Sequence, residues 1–200
     1  MRSRTTRAGT AAVLVAACAL ATACTDSPER RTEPIRTTAS TPAPAEFGTK
    51  DDRLVRCGGG EARISPVADG PPKPQDIVVG PLRWPGLKDR ARANREGYGN
   101  QQSDGWHYKI GAEIAAGARV TVSVAPEARG KAGLGYGQQW DYTPAQKVTF
   151  HACPKARTAF VGGFVVAGAT GRICLPLDIR TGEAPPRRIT VSLGAGKCPA

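Results

Sequence analysis

Apolar and polar residues alternate along much of the chain. Val120, Val122 and Val124 alternate with polar neighbours in "ARVTVSVAP", and Val148, Phe150 and Ala152 do so in "KVTFHAC". The same pattern returns with Ile173, Leu175, Leu177 and Ile179 in "RICLPLDIR" and with Ile189, Val191 and Leu193 in "RRITVSLG". A period of two sends successive side chains to opposite faces, so each run predicts a strand with one buried face. "DRLVRC", "DIVVGPLRW", "HYKIGAEI" and "AFVGGFVVAG" bring the total to about eight, separated by Gly and Pro turns. No helical stripe of comparable strength occurs; residues 86–96, "GLKDRARANRE", suit a short helix with a poor apolar face. Short alternating strands must bury one face against another sheet, so the expected fold is all-β, an antiparallel β-sandwich. Gly162-Gly163 inside a strand run predicts a bulge or a close backbone approach.

The first fifty residues follow another pattern. Arg2, Arg4 and Arg7 precede an uncharged run from Ala8 to Ala23, the arrangement of an export signal. The run is rich in Ala and Thr and shorter than the roughly 20 apolar residues a membrane span needs. Ala21-Thr22-Ala23 offers small residues for cleavage, and Cys24 follows at once. Leu20-Ala21-Thr22-Ala23-Cys24 resembles the lipobox of bacterial lipoproteins, whose Cys is alkylated with diacylglycerol before cleavage. Val15-Ala16-Ala17-Cys18 fits the same motif but would leave a shorter apolar run. The resemblance implies a signal peptide over 1–23 and a lipid on Cys24 that holds the chain at the cell membrane; plain secretion, with Cys24 incidental, is the alternative. Pro28, Pro34, Pro42 and Pro44 then punctuate a polar segment whose four cations match its four acids. Such a segment buries too little apolar surface to offset its ordering entropy. Residues 24–50 therefore read as a disordered tether with a reach of about 30 Å, and the folded domain is expected over 51–200.

Charge changes the picture next. The chain has 28 Lys and Arg against 17 Asp and Glu, a net +11, and residues 51–200 hold 21 and 13 of these, so the domain carries +8. No zinc-finger, RNP or helix-turn-helix pattern accompanies that charge, and nucleic acid is not an expected partner outside a cell. An anionic cell-wall polymer, a glycan or anionic lipid is the natural partner class; the plainer alternative is a positively charged soluble surface.

Four cysteines, Cys57, Cys153, Cys174 and Cys198, fall in the domain, an even set suited to an oxidising compartment. Three pairings are open to them. The preferred expectation joins Cys57 to Cys198 across the domain ends and Cys153 to Cys174 around a short segment. His151-Ala152-Cys153 is the only His/Cys cluster and no CxxC spacing accompanies it, so no metal or other cofactor is expected. A blue-copper site is excluded because the only Met is Met1. "QQSDG" at 101–105 has Gln101 where a nucleophile elbow needs Gly, although Ser103, Asp104 and His107 lie close in sequence. "GLGYG" at 133–137 lacks the following helix that holds phosphate and reads as a hairpin turn.

Two segments echo each other. "YGNQQSDGWHY" and "YGQQWDY" share Tyr-Gly, then Gln-Gln, then Trp-x-Tyr, and contain all four tyrosines and two of the three tryptophans. Flat rings beside amides suit a sugar surface, which makes Tyr98, Gln101, Gln102, Trp106, Tyr108, Tyr136, Gln138, Gln139, Trp140 and Tyr142 the candidate ligand-binding residues. The plainer reading has these rings capping the core. Gly162-Gly163-Phe164, Cys174-Leu175-Pro176-Leu177 and Gly194-Ala195-Gly196-Lys197-Cys198-Pro199 resemble segments of small secreted or lipid-anchored proteins of high-GC Gram-positive bacteria. That resemblance implies location and fold and no activity. The sequence reads as a cell-surface lipoprotein whose non-enzymatic domain binds or organises an envelope component. The alternative is a secreted hydrolase with a site assembled from residues distant in sequence.

Overall fold

The computed structural model describes residues 50–58, 70–92, 99–137 and 143–199. The signal peptide, Cys24 and nearly all of the tether lie outside the described residues, as do Tyr98, Gln138, Gln139, Trp140 and Tyr142.

Thirteen strands occur among the described residues, and no α-helix. In chain order they are β1 (Lys50–Arg56), β2 (Ile77–Val79), β3 (Leu82–Trp84), β4 (Asn100–Gln102), β5 (Gly105–Lys109), β6 (Ala112–Ile114) and β7 (Arg119–Val124). Then come β8 (Ala132–Leu134), β9 (Ala145–His151), β10 (Thr158–Phe160), β11 (Gly163–Val166), β12 (Ile173–Thr181) and β13 (Arg187–Leu193). The helix expected from Gly86 is a 3₁₀ turn, Leu87–Arg92, in which Leu87 is buried; Lys88 and Asp89 face solvent, so little apolar surface holds a longer helix there.

The strand count exceeds the expected eight because three apolar runs are folded in two and β4 and β8 form outside the expected runs. "DIVVGPLRW" is the hairpin β2–β3, with Gly80 at φ 55 in its turn. "HYKIGAEI" and "AFVGGFVVAG" each cross from one sheet to the other. The large sheet runs β13-β12-β7-β9-β8-β11-β5-β4, with β1 on β9; the small one runs β10-β6-β3-β2. β5 and β11 pair in the large sheet and β6 and β10 in the small one, so the two runs bend side by side, and Ile110 N donates to Gly162 O at the corner, 2.9 Å. A Cβ at Gly162 or Gly163 would strike the Gly135 and Tyr108 carbonyls, so the corner needs the close approach that only glycine permits. "GLGYG" is no hairpin turn. It begins in β8 and continues along β11 through reciprocal Gly135–Gly163 backbone bonds, because its glycines let the chain run close to that corner.

Pairing is antiparallel throughout except that β1 lies parallel to β9. The large sheet is curled, and its halves meet at β9 and β8 through Leu134 and Ala145. Both sheets contribute to one core. Phe150 of the large sheet and Phe160 of the small one lie 5.1 Å apart, and Trp84 lies 5.9 Å from Phe164.

All four domain cysteines are oxidised, but not in the expected pairs: Cys57 bonds Cys153, and Cys174 bonds Cys198. The parallel register decides the first, because Arg56 sits beside His151 and Cys57 N donates to His151 O at 2.9 Å, which brings the two ends level. In the second, Cys174 lies opposite Ser192 in the β12–β13 ladder, and the tail past Leu193 turns back to it. Gly194 N and Gly196 N donate to Arg90 O and Ala91 O, which fixes that return.

Candidate functional site

The first echo segment forms the β4–β5 hairpin with Ser103-Asp104 at its tip. Gln101 and Gln102 are exposed on the edge strand, and Gln101 pairs with Trp106. Trp106 is not a free shelf. Its indole Nε1 donates to Ala169 O at 3.0 Å, Gly171 and Gly99 lie against the ring, and the ring packs on the core edge. Tyr108 is 6% exposed and donates its hydroxyl to Gly171 O at 2.6 Å; burial raises its pKa despite the Arg172 charge. Tyr136 is fully buried. Tyr108 and Tyr136 therefore offer no ring to a ligand, which corrects their expected role. A ring closed off by its own sheet keeps only the structural part of the aromatic signal. What the echo does reflect is shared placement: both tyrosines flank Phe164 of β11 in the core.

On the same hairpin, His107 Nε2 and Asp104 Oδ1 are 2.7 Å apart in an exposed pair. Among the described residues Ser103 makes no hydrogen bond to that imidazole. A groove of about 650 Å³ lies elsewhere, where Leu87 and Ala91 of the 3₁₀ turn face Pro176, Ile189 and Cys198. Its lining mixes aliphatic residues with Lys88, Glu127, Arg188, Thr190 and Ser192, and includes no aromatic or histidine. Three buried charged residues are structural. Arg83 Nε donates to Glu113 Oε2 at 2.6 Å across β3 and β6. Asp76 takes hydrogen bonds from Lys73 N and Gly86 N; burial alone would raise its pKa, but those bonds, with the Arg83 and Lys73 charges, hold it below the usual carboxylate value.

The polar face of β1, β9, β7, β12 and β13 is organised in rows set by register. Asp52, Lys147, Ser123, Asp178 and Arg188 form one row across all five strands. Leu54, Thr149, Thr121 and Arg180 form the next, and Arg56, His151 and Arg119 the third. The first row is internally matched: Lys147 Nζ meets Asp52 at 2.5 Å, and Arg188 clasps both Asp178 oxygens at 2.8 and 2.9 Å while reaching Glu127 at 3.0 Å. That bidentate bond, chiefly, holds the Asp178 carboxyl below its usual range although burial works against it. In the second row Thr121 and Thr149 hydroxyls bond at 3.0 Å. The third row is entirely basic. Arg56 and Arg119 are exposed on either side of His151, as is Arg180 beside Thr121. None of the three arginines has an acidic partner among the described residues.

Sequence reasoning did not find this row. Arg56 and His151 end their strands and Arg119 opens its own, ordinary polar positions whose adjacency depends on a parallel register that periodicity does not specify. No family model matches the chain, and no similar protein is found among curated proteins or solved structures.

Proposed function

We propose that the chain is a lipid-anchored domain of the extracytoplasmic envelope that binds an anionic wall polymer and performs no reaction itself. The observation that carries the reading is the uneven charge of the five-strand face, where acids match Lys147 and Arg188 but leave Arg56, Arg119 and Arg180 turned to solvent. Guanidinium groups in that state attract oxyanions and bind them in forked geometry. Two disulfides suit an oxidising compartment outside the cytoplasm. The Leu20–Cys24 run supports anchoring, for which two or more acyl chains suffice where one binds only marginally. We read the two sheets as the layers of a sandwich sharing one core.

Cosedimentation with purified cell wall tests the binding. Association should fall steeply between 0.1 M and 1 M salt, as the Debye length drops from about 10 Å to about 3 Å. Cys24→Ser should release the protein into the medium. Salt-independent association would overturn the charge-based reading, and an unmodified Cys24 would overturn the anchor.

The Asp104–His107 pair favours a second reading, a hydrolase using Ser103. An electrophilic serine probe should then label the chain and fail on Ser103→Ala. Absence of labelling leaves the pair as a hairpin clasp.

A further inference from the structure

We infer that Arg56, His151 and Arg119, with Arg180 beside them, form a binding site for a phosphate-class oxyanion, the group that links phosphodiester wall polymers. The inference rests on the envelope reading and names the chemistry its ligand must present. Neighbouring strands are about 4.8 Å apart, so the backbones of Arg56 and Arg119 are about 10 Å apart with His151 between them. Two arginine side chains thus leave the same face of the sheet on either side of His151. Arg180 lies one strand beyond β7, level with Thr121, and adds a third fork from the next row. The parallel β1–β9 register that creates the row is pinned at that end by the Cys57–Cys153 bond.

A second, independent observation points to a ligand. His151 Nε2 is shielded from solvent and has no hydrogen-bond partner among the described residues. Buried polar atoms ordinarily find a partner, and an oxyanion that displaced the side chains covering this one would supply it. The charges acting on the imidazole are Arg119 and Arg56, both cations. An anion between them would offset their repulsion of the imidazolium, so binding and protonation of His151 support each other. Carboxylates could also meet an arginine fork, but a phosphate presents enough oxygens to engage both forks and the ring together.

The chain has two histidines, which makes the test internally controlled. The full chain carrying C24S is titrated with inorganic phosphate at constant ionic strength while the His ring resonances are followed by NMR. His151 should shift saturably and its titration midpoint should rise, while His107, paired with Asp104 on the far hairpin, stays in place. R56Q and R119Q should each weaken binding about tenfold, the scale of one charged hydrogen bond. K131Q, which removes the same charge from an exposed position elsewhere, should not. R119K should bind better than R119Q, and thermal unfolding checks that each variant is folded. A glycerol-phosphate oligomer should displace phosphate more strongly than phosphatidylglycerol vesicles do; the reverse order would overturn the wall polymer as the source. Equal shifts of both histidines, or equal losses in K131Q and R119Q, would overturn the site. If wall binding survives in R56Q and R119Q while phosphate moves neither ring, the site falls and the envelope reading stands. If phosphate binds at the row but the wall does not bind, the envelope reading falls alone.

Discussion

Trp84 Nε1 donates to Tyr136 Oη at 3.0 Å, and the same hydroxyl donates to Ile110 O at 2.8 Å. One buried phenol thus joins β3 of the small sheet to the corner where β5 turns into β6. The bond explains why a tyrosine of the echo segments lies in the core: its ring packs edge-on against Phe150 and Phe164 while its hydroxyl satisfies two buried polar groups. Tyr136→Phe keeps the ring and removes both bonds. It should destabilise the domain by about 1–3 kcal/mol for each group left unsatisfied, read from urea unfolding. A change within error would mean that water reaches the corner.

Gly171 holds Trp106 in place. At φ +62 its α-carbon lies so close to the indole that an added Cβ would collide with the ring. Gly182, at φ +57 with nothing within 4 Å, shares the backbone requirement but not the collision. Both Gly→Ala changes carry the left-handed backbone penalty. Gly171→Ala should cost about 1–3 kcal/mol more and speed exchange of the Trp106 indole N–H. Equal losses at the two positions would assign the effect to the backbone alone.

The disulfides should contribute unequally. Cys57–Cys153 spans 96 residues of chain and Cys174–Cys198 spans 24. The loop-entropy model assigns them about 4.7 and 3.4 kcal/mol. Replacing Cys57 and Cys153 by Ser should therefore lower the unfolding midpoint further than replacing Cys174 and Cys198, by differential scanning calorimetry. The reverse order would show that the tail's backbone bonds to Arg90 and Ala91 depend on the Cys174–Cys198 bond, so that its loss removes more than loop closure.

Alternation was enough to place β7, β9, β12 and β13, because the alternate apolar side chains of each share one buried or half-buried face. It failed where a run stays apolar through a bend: "AFVGGFVVAG" buries Phe160 in one sheet and Phe164 in the other, and period alone does not mark the crossing at Gly162. The disulfide pairs were equally hidden, since antiparallel hairpins are the default and only the parallel β1–β9 register brings Cys57 to Cys153. Among candidate ligand residues, Tyr108 and Tyr136 carried a strong aromatic signal that burial absorbed. Arg56, Arg119 and His151 carried none, because a charge row across strands has no trace along one strand.

His151 should make stability depend on pH in a definite window. Burial first, and then the charges of Arg119 and Arg56, hold its folded pKa below the ordinary value of 6.5, which applies to the unfolded chain. The unfolded chain therefore takes up a proton that the folded one resists. Stability is complete above about pH 6.5 and is lost as pH falls through the folded value. Asp76 and Asp178, whose pKa values are also lowered, lose their contributions only below the ordinary carboxylate value of 3.8. His151→Gln should flatten the stability curve between about pH 7 and 5 while leaving the acid limb in place, measured by urea unfolding at each pH. In phosphate at matched ionic strength the parent's slope should also shrink, because an anion in the row favours the imidazolium. A slope that survives unchanged in H151Q would remove His151 as its source, and a slope insensitive to phosphate would separate the titration of that ring from any bound oxyanion.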